Sequence, residues 1–347
     1  FHVAGGAYRI TATSGSYSAT WRYKPVGLAQ ESDTLGDPIP AGGTDGQILA
    51  KASDDDFDVE WIDAASGGGG GGSFFAANGG RLTLSSGVAV PTTDVTNATT
   101  LYWTPDLHNQ IGLYSSGAWS SISSAEVSIS LSGLSANGVY DVFGYFSGGA
   151  LVLELLAWTN ATTRATGLTT QDGVAVKSGD ATRRYLGTLR ANAAGGSVDD
   201  GVARRHLWNA YNRRQRRLFK TSATASYSQT SGTWIGWLNE THKLEFVLGL
   251  AGEPVFLRFD GLHSVSSGGT AYVGLDLDGA ATGTDADVVI GSNSTSSILT
   301  TAGTVYYNHP GIGGHFLQLM QQKGSSSTTF YGTIGDLKYG ATGWINC

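Results

Sequence analysis

Residues 126–146 read EVSISLSGLSANGVYDVFGYF, and their periodicity decides the fold class. Val127, Ile129 and Leu131 fall on one face of an extended segment and residues 140–146 alternate again, the period-two signature of half-buried strands. Between them, Asn137-Gly138 tolerates positive backbone angles, which predicts a hairpin closing there. Further strand patterns cover 151–158, 184–189, 242–250, 255–259, 270–277, 315–321 and 328–334, separated by Gly, Ser and Asn clusters. This succession predicts an all-β chain, largely antiparallel, folded as β-sandwich or jelly-roll-like domains.

Composition points the same way. Glycine supplies 51 of 347 residues, charged residues only 14%, and there is one Met, so the straight-chain residues that sustain helices are scarce. One short helix is expected near 200–213, where Asp200 stands as a cap before Val202, Leu207, Ala210 and Tyr211 at helical spacing. No repeat of fixed period appears, which argues against a solenoid or propeller. The longest apolar run, 150–158, is interrupted by Glu154 and is too short for a membrane span, so no membrane insertion is expected. No signal-peptide pattern opens the sequence. The single cysteine, Cys347, leaves no intrachain disulfide and no cysteine framework for a metal.

Six consecutive glycines at 67–72 combine maximal backbone freedom with no side chain to pack. They predict a linker over 67–73 between an attachment and connector region, 1–66, and the remainder of the chain. The remainder divides into a β-rich middle domain, 74–220, and a C-terminal β-sandwich, 221–347. Within the first region, Tyr17, Ala19, Trp21 and Tyr23 share a strand face, and a proline-containing stretch follows at 37–40. A segment this small cannot bury its own aromatics, so it is expected to pack against symmetry mates or a partner protein. Residues 42–61, GGTDGQILAKASDDDFDVEW, predict a compact hairpin-like connector with a short strand at 47–50 and a closing Trp61.

The connector resembles the "GGTTGQVL…W" segment that recurs in tail fibres and other virion fibres of tailed bacteriophages. Residues 182–218, TRRYLGTLRANAAGGSVDDGVARRHLWNAYNRRQRRL, resemble a segment of structural proteins from the same phages. There "R-x-Y-L-G-T" precedes "R-x-x-W-N-x-Y-N-R", matched here by Arg183, Tyr185 to Thr188, Arg205, Trp208, Asn209, Tyr211, Asn212 and Arg213. The resemblance implies an intertwined homotrimeric fibre on the tail or capsid surface, mounted on other virion proteins through its N-terminal region. It implies a non-enzymatic subunit, a tail fibre that adsorbs to host-surface polysaccharide, with a capsid head fibre or decoration protein as the alternative. A polysaccharide-degrading tailspike is the weaker alternative, because the long repetitive β-helix of such spikes is missing.

Charge is concentrated. Residues 177–220 hold 11 of the 21 basic residues and three of the 28 acidic ones, inside a chain of net charge -7. Arg204, Arg205, Arg213, Arg214, Arg216 and Arg217, beside Trp208 and Tyr211, suit either of two roles. Guanidinium forks could hold the phosphates or carboxylates of an acidic glycan, or they could pair with acidic residues across subunit or domain interfaces. The second role is favoured, and nucleic acid is not expected as a partner of so acidic a chain. Trp234, Trp237, Tyr306 and Tyr307 lie near Gly- and Ser-rich turns as candidate sugar-stacking rings, with core packing as the alternative.

No cofactor or metal is expected. Asp276, Asp278, Asp285 and Asp287 begin like a calcium loop, but its glycine is misplaced and its terminal Glu is absent. Asp54 to Asp56 with Asp58 have no reason to converge, and His309 and His315 are six residues apart, unlike usual zinc pairs. The sequence contains no G-x-S-x-G elbow, H-E-x-x-H helix or phosphate loop, and no catalytic residue is assigned.

Overall fold

A computed structural model describes residues 9–13, 16–20, 43–44, 47–53, 58–63, 77–266, 268–279, 288–289, 292–294 and 299–347. The hexaglycine tract, the stretch 37–40, Trp21, Tyr23, Asp54 to Asp56, Asp285 and Asp287 lie outside the described residues. The chain forms two compact units, Phe1–Gly72 and Ser73–Cys347.

In the first unit, Arg9–Thr13 pairs antiparallel with Ser16–Thr20, and Gln47–Lys51 pairs antiparallel with Val59–Asp63. The second pair is the expected connector hairpin. A Cβ on Gly43 would lie 2.7 Å from Trp61 Cδ2, so the glycine is what lets the chain close against the tryptophan.

The second unit is built from sheets. One sheet runs in the order Ser292–Ser294, Gly269–Leu277, Gly313–Lys323, Lys243–Leu248, Arg204–Arg205, Val198–Gly201, Val95–Ala98. Gln215–Thr221, Gly340–Asn346, Val255–Val265 and Thr300–Asn308 lead the sheet that packs on it. Leu244, Phe246, Val273, Leu275 and Leu317 from the first meet Leu257, Phe259, Ala302, Ala341 and Ile345 from the second in one core. Alternate residues of each strand point inward, as a sandwich requires.

A second core lies under the sheet that contains Ala150–Ala157, Val139–Ser147, Asp180–Arg190 and Val174–Lys177. Here Val142, Leu151, Leu153, Leu186 and Leu189 pack on Leu82, Leu101, Trp103, Ile111 and Leu113 from smaller sheets. Burial of each such aliphatic side chain is worth about 1.5–3 kcal/mol against leaving it in water.

Three expectations need correction. The strand at Val127–Ser130 pairs with Thr100–Pro105, whereas Val139–Ser147 pairs with Ala150–Ala157 and Asp180–Arg190, so no hairpin closes at Asn137-Gly138. Asn137 does adopt a left-handed backbone, φ 57°. Its N–H donates to Asn192 O and the Ser135 N–H donates to Tyr140 Oη, so the turn carries the chain from one sheet to another.

The helix expected near 200–213 does not form. Val198–Gly201, Arg204–Arg205, Leu207–Asn209 and Gln215–Thr221 are strands, and among the described residues the sole helical element is a 3-10 turn, Trp237–Asn239. Long-range bonds from the side chains of Asn209 and Asn212 outweigh the local helical pattern, and Asn212 takes a left-handed φ of 51° that no helix accommodates.

The third correction concerns the boundary expected at 220/221. It falls inside Gln215–Thr221, which pairs along its whole length with Gly340–Asn346, and Val95–Ala98 and Val198–Gly201 extend a sheet built mainly from later strands. The two expected sandwich domains are therefore continuous.

Candidate functional site

The arginine-rich segment is a frame of internal ion pairs. Arg205 Nη1 donates to Asp200 Oδ1 at 3.0 Å, and its Nε and Nη2 both donate to Arg217 O. Arg216 is also buried, donating to Pro91 O at 2.8 Å with Asp200 Oδ2 3.6 Å away. Arg214 pairs with Asp106 and Arg213 with Glu253, while the Arg213 guanidinium lies 5.2 Å over the Trp208 ring. Arg217 covers Phe219 at 4.0 Å. Residues of one chain thus engage all six arginines, five of them as forks or stacks within this frame. The sixth, Arg204, faces a groove.

The aromatic and amide residues of the same motif are structural. Trp208 is fully buried and stacks on Tyr185 at 6.4 Å, and Tyr211 lies beneath the Arg184 guanidinium at 4.6 Å. Asn209 pairs with both backbone groups of Leu82, accepting its N–H at 2.7 Å and donating to its carbonyl at 3.1 Å. Asn212 donates to the carbonyls of Asn78 and Gly80. Two asparagines therefore clamp the Gly80–Thr83 strand as a neighbouring strand would. Arg81 on that strand answers by donating to the carbonyls of Asn212 and Cys347. Burial pushes the Cys347 thiol up to about 12, which leaves it protonated and unreactive at neutral pH.

The candidate sugar-stacking rings do not form a surface platform. Trp237 and Tyr306 are buried in the large core, Trp237 at the start of the 3-10 turn and edge-on to Phe259 at 5.2 Å, Tyr306 on an inward position of the Thr300–Asn308 strand. Trp234 is half-buried, and Tyr307, the residue after Tyr306 on the same strand, is 52% exposed on the opposite face. His315 donates to or accepts from Asp278 through Nδ1 at 2.7 Å, a pair that the sequence spacing did not indicate. Among the described residues no group of three His, Cys, Asp or Glu side chains is placed to hold a metal.

The groove consists of two adjoining hollows of about 400 Å³ each, both lined by Asp199, Arg204, Lys243 and Glu245. Its geometry follows from a parallel pairing, the sole one among the described strand pairs, which sets Arg204 opposite Glu245 and Arg205 opposite Phe246. Period two then turns Arg204 outward and Arg205 inward. Arg204 Nη1 lies 3.1 Å from Asp199 Oδ2 and its Nε 3.5 Å from Glu245 Oε1. Glu245 Oε2 also faces Arg190 Nη1 at 3.0 Å and His206 Nε2 at 3.4 Å. The His206 imidazole first, then the charges of Arg190 and Arg204, hold the Glu245 carboxyl down to about 2 against the opposing effect of burial.

Two cations of the groove stand outside this network. Lys243 Nζ sits 3.6 Å over the Phe316 ring, and neither it nor Lys220 has a carboxylate partner among the described residues. Asp199, Lys220, Lys243 and Glu245 were not readable as a site in the sequence. They come from separated strands, share no spacing, and meet only because 94–97, 137, 190–206, 220, 241–245 and 316 converge.

No family model matches the chain, and no curated protein does. Among solved structures, the chain is similar to an insecticidal delta-endotoxin from Bacillus thuringiensis at 9% identity and a TM-score of 0.21, over 72% of this chain. It covers 49% of that chain, so it spans about half the endotoxin's length. It is similar also to infectious bursal disease virus, Gx strain, at 12% identity and 0.22, covering 61% of this chain and 56% of that one. An exo-beta-1,3-galactanase from Phanerochaete chrysosporium scores 0.16 at 10% identity, over 73% of this chain and 68% of that one. Scores this low carry no argument about fold or function.

Proposed function

We propose that this chain is a non-enzymatic fibre subunit of a tailed-phage virion, assembled as a homotrimer, mounted through its N-terminal unit and adsorbing to host-surface glycan through its β-sheet unit. The observation that carries the reading is the connector hairpin. Ile48 is 52% and Leu49 38% exposed on a two-stranded sheet, which has no second layer among the described residues to cover them. An isolated hairpin is at best marginally stable in water, and three copies, or a mount on another virion protein, would bury this surface.

Sedimentation equilibrium of the full chain tests the assembly. A mass three times that of one chain, reduced by Ile48→Asp with Leu49→Asp, supports the reading; a monomer at micromolar concentration overturns the trimer. Cryo-electron microscopy of purified particles then decides the position. Density at the tail with the sheet unit outermost supports adsorption, and density on the head supports a decoration role instead.

A further inference from the structure

The groove around Arg204 contains carboxylates that are already engaged and nitrogen donors that are not. Asp199 and Glu245 are held by Arg204, Arg190 and the Asn97 N–H, so they offer little to a ligand. The nitrogens are different. Lys220 and Lys243 lack carboxylate partners among the described residues, and Lys243 is aimed across Phe316. Asn97 uses its side-chain oxygen to accept from Asn192 and Asn137 uses its own to accept from Arg190, which leaves both amide NH₂ groups without partners among the described residues. Four donor groups, two of them charged, therefore line the two adjoining hollows, Lys220 in one, Asn97 and Asn137 in the other and Lys243 in both.

Such a surface selects a ligand rich in acceptors and negatively charged. One feature narrows the class further. Asp94 lines the same groove, with Oδ1 accepting the Val202 N–H at 2.9 Å and its second oxygen available. A bare anion would be repelled there, whereas a ligand that also carries hydroxyl groups can donate to it. The exposed flank of the half-buried Phe316 ring supplies an apolar face beside Lys243.

We infer that this groove binds a sugar bearing a carboxylate, with the carboxylate at Lys220 and Lys243 and ring hydroxyls at Asp94, Asn97 and Asn137. The inference deepens the adsorption reading by naming a ligand class, and it rests on that reading only for where the sugar comes from.

The test is titration of the full chain, followed by isothermal calorimetry, with three probes: an oligogalacturonate, a neutral galactose oligomer of equal length, and inorganic phosphate. Saturable binding of the oligogalacturonate alone is expected. Lys243→Ala and Lys220→Ala should each weaken it on the order of tenfold, the loss of one charge-assisted hydrogen bond. Lys243→Arg should restore much of it, and Lys338→Ala, which removes an exposed charge elsewhere, should leave it unchanged. Unaltered thermal unfolding of the lysine variants shows that they are folded. Equal binding of the neutral oligomer, binding of phosphate with the same affinity, or no effect of either lysine overturns the inference. Particle adsorption to host cells is read separately. Probe binding without a contribution to adsorption overturns the adsorption reading and leaves the groove assignment standing.

Discussion

Arg205 and Arg216 on one side, Lys220 and Lys243 on the other, sit within a few strands of each other and do opposite work. The guanidinium groups are buried and fixed by the Asp200 carboxylate and by carbonyl oxygens, whereas the ammonium groups have no carboxylate partner among the described residues. The difference follows from the chemistry of the two cations. A planar fork with five donors can satisfy several fixed acceptors at once and is therefore suited to interior joints; a flexible point charge is suited to a surface that meets a ligand. Density of positive charge in a sequence is thus a poor guide to a ligand site. What matters is how many fixed acceptors the fold brings to each cation.

The largest test of that contrast removes the shared acceptor of the buried side. Asp200→Ala leaves Arg205 and Arg216 buried without their carboxylate and should cost about 3–5 kcal/mol in chemical denaturation. A loss below 1 kcal/mol would mean that the frame is not what joins the sheets. Next in size is the packing beneath Arg213. A Cβ at Gly249 would lie 2.0 Å from Tyr185 Oη and 2.4 Å from Trp208 Cε3, so Gly249→Ala should destabilise by about 1–3 kcal/mol through overpacking.

Strand periodicity was legible where one face is buried and the other is not. Gly269–Leu277 and Gly313–Lys323 alternate in burial along much of their length, and both were read from sequence to within two residues at each end. Partner choice was not legible at Asn137-Gly138, because a turn dipeptide specifies local angles and says nothing about whether the flanking strands pair with each other. The helix expected at 200–213 fails for a related reason. Asn209 and Asn212 make their decisive bonds to residues more than 120 positions away, which no local window contains. Of the candidate residues, the arginines were favoured as groups that pair with acidic residues across subunit or domain interfaces, and the pairs found here lie within one chain. The groove was invisible because its members are scattered across six stretches.

Acid should act on the molecule in two stages. Burial lowers the affinity of His242 and of His263 for a proton, so each is bound more tightly by protons in the unfolded chain than in the folded one. Their stabilising contribution is complete above the ordinary histidine value near 6.5 and is lost as pH falls below it, at no more than about 1.4 kcal/mol per pH unit for each ring. Glu245, held at about 2 against an ordinary 4.5, contributes above 4.5 and loses that contribution as pH falls toward 2. A thermal midpoint that is level above pH 7, declines below 6.5 and declines further below 4.5 is expected. His263→Asn should make the upper stage shallower and leave the share of His242 and the lower stage in place, and a profile unchanged by it would remove His263 from the account.

The smallest expected effect is the one that sharpens the contrast most. Lys220→Ala and Lys243→Ala each remove a cation with no carboxylate partner among the described residues, so unfolding free energy should move by no more than about 0.5 kcal/mol for Lys220 and about 1 kcal/mol for Lys243, which also loses its contact with Phe316. The same substitution at Arg216, which is buried beside Asp200 and Pro91 O, should cost several times more. If the lysine variants prove as destabilising as the arginine one, the lysines are joints as well, and the groove has no free charge with which to meet a ligand. If they are neutral in stability while altering binding of an acidic probe, the division of labour holds at the level of single side chains: forks for assembly of the fold, point charges for what the fold encounters.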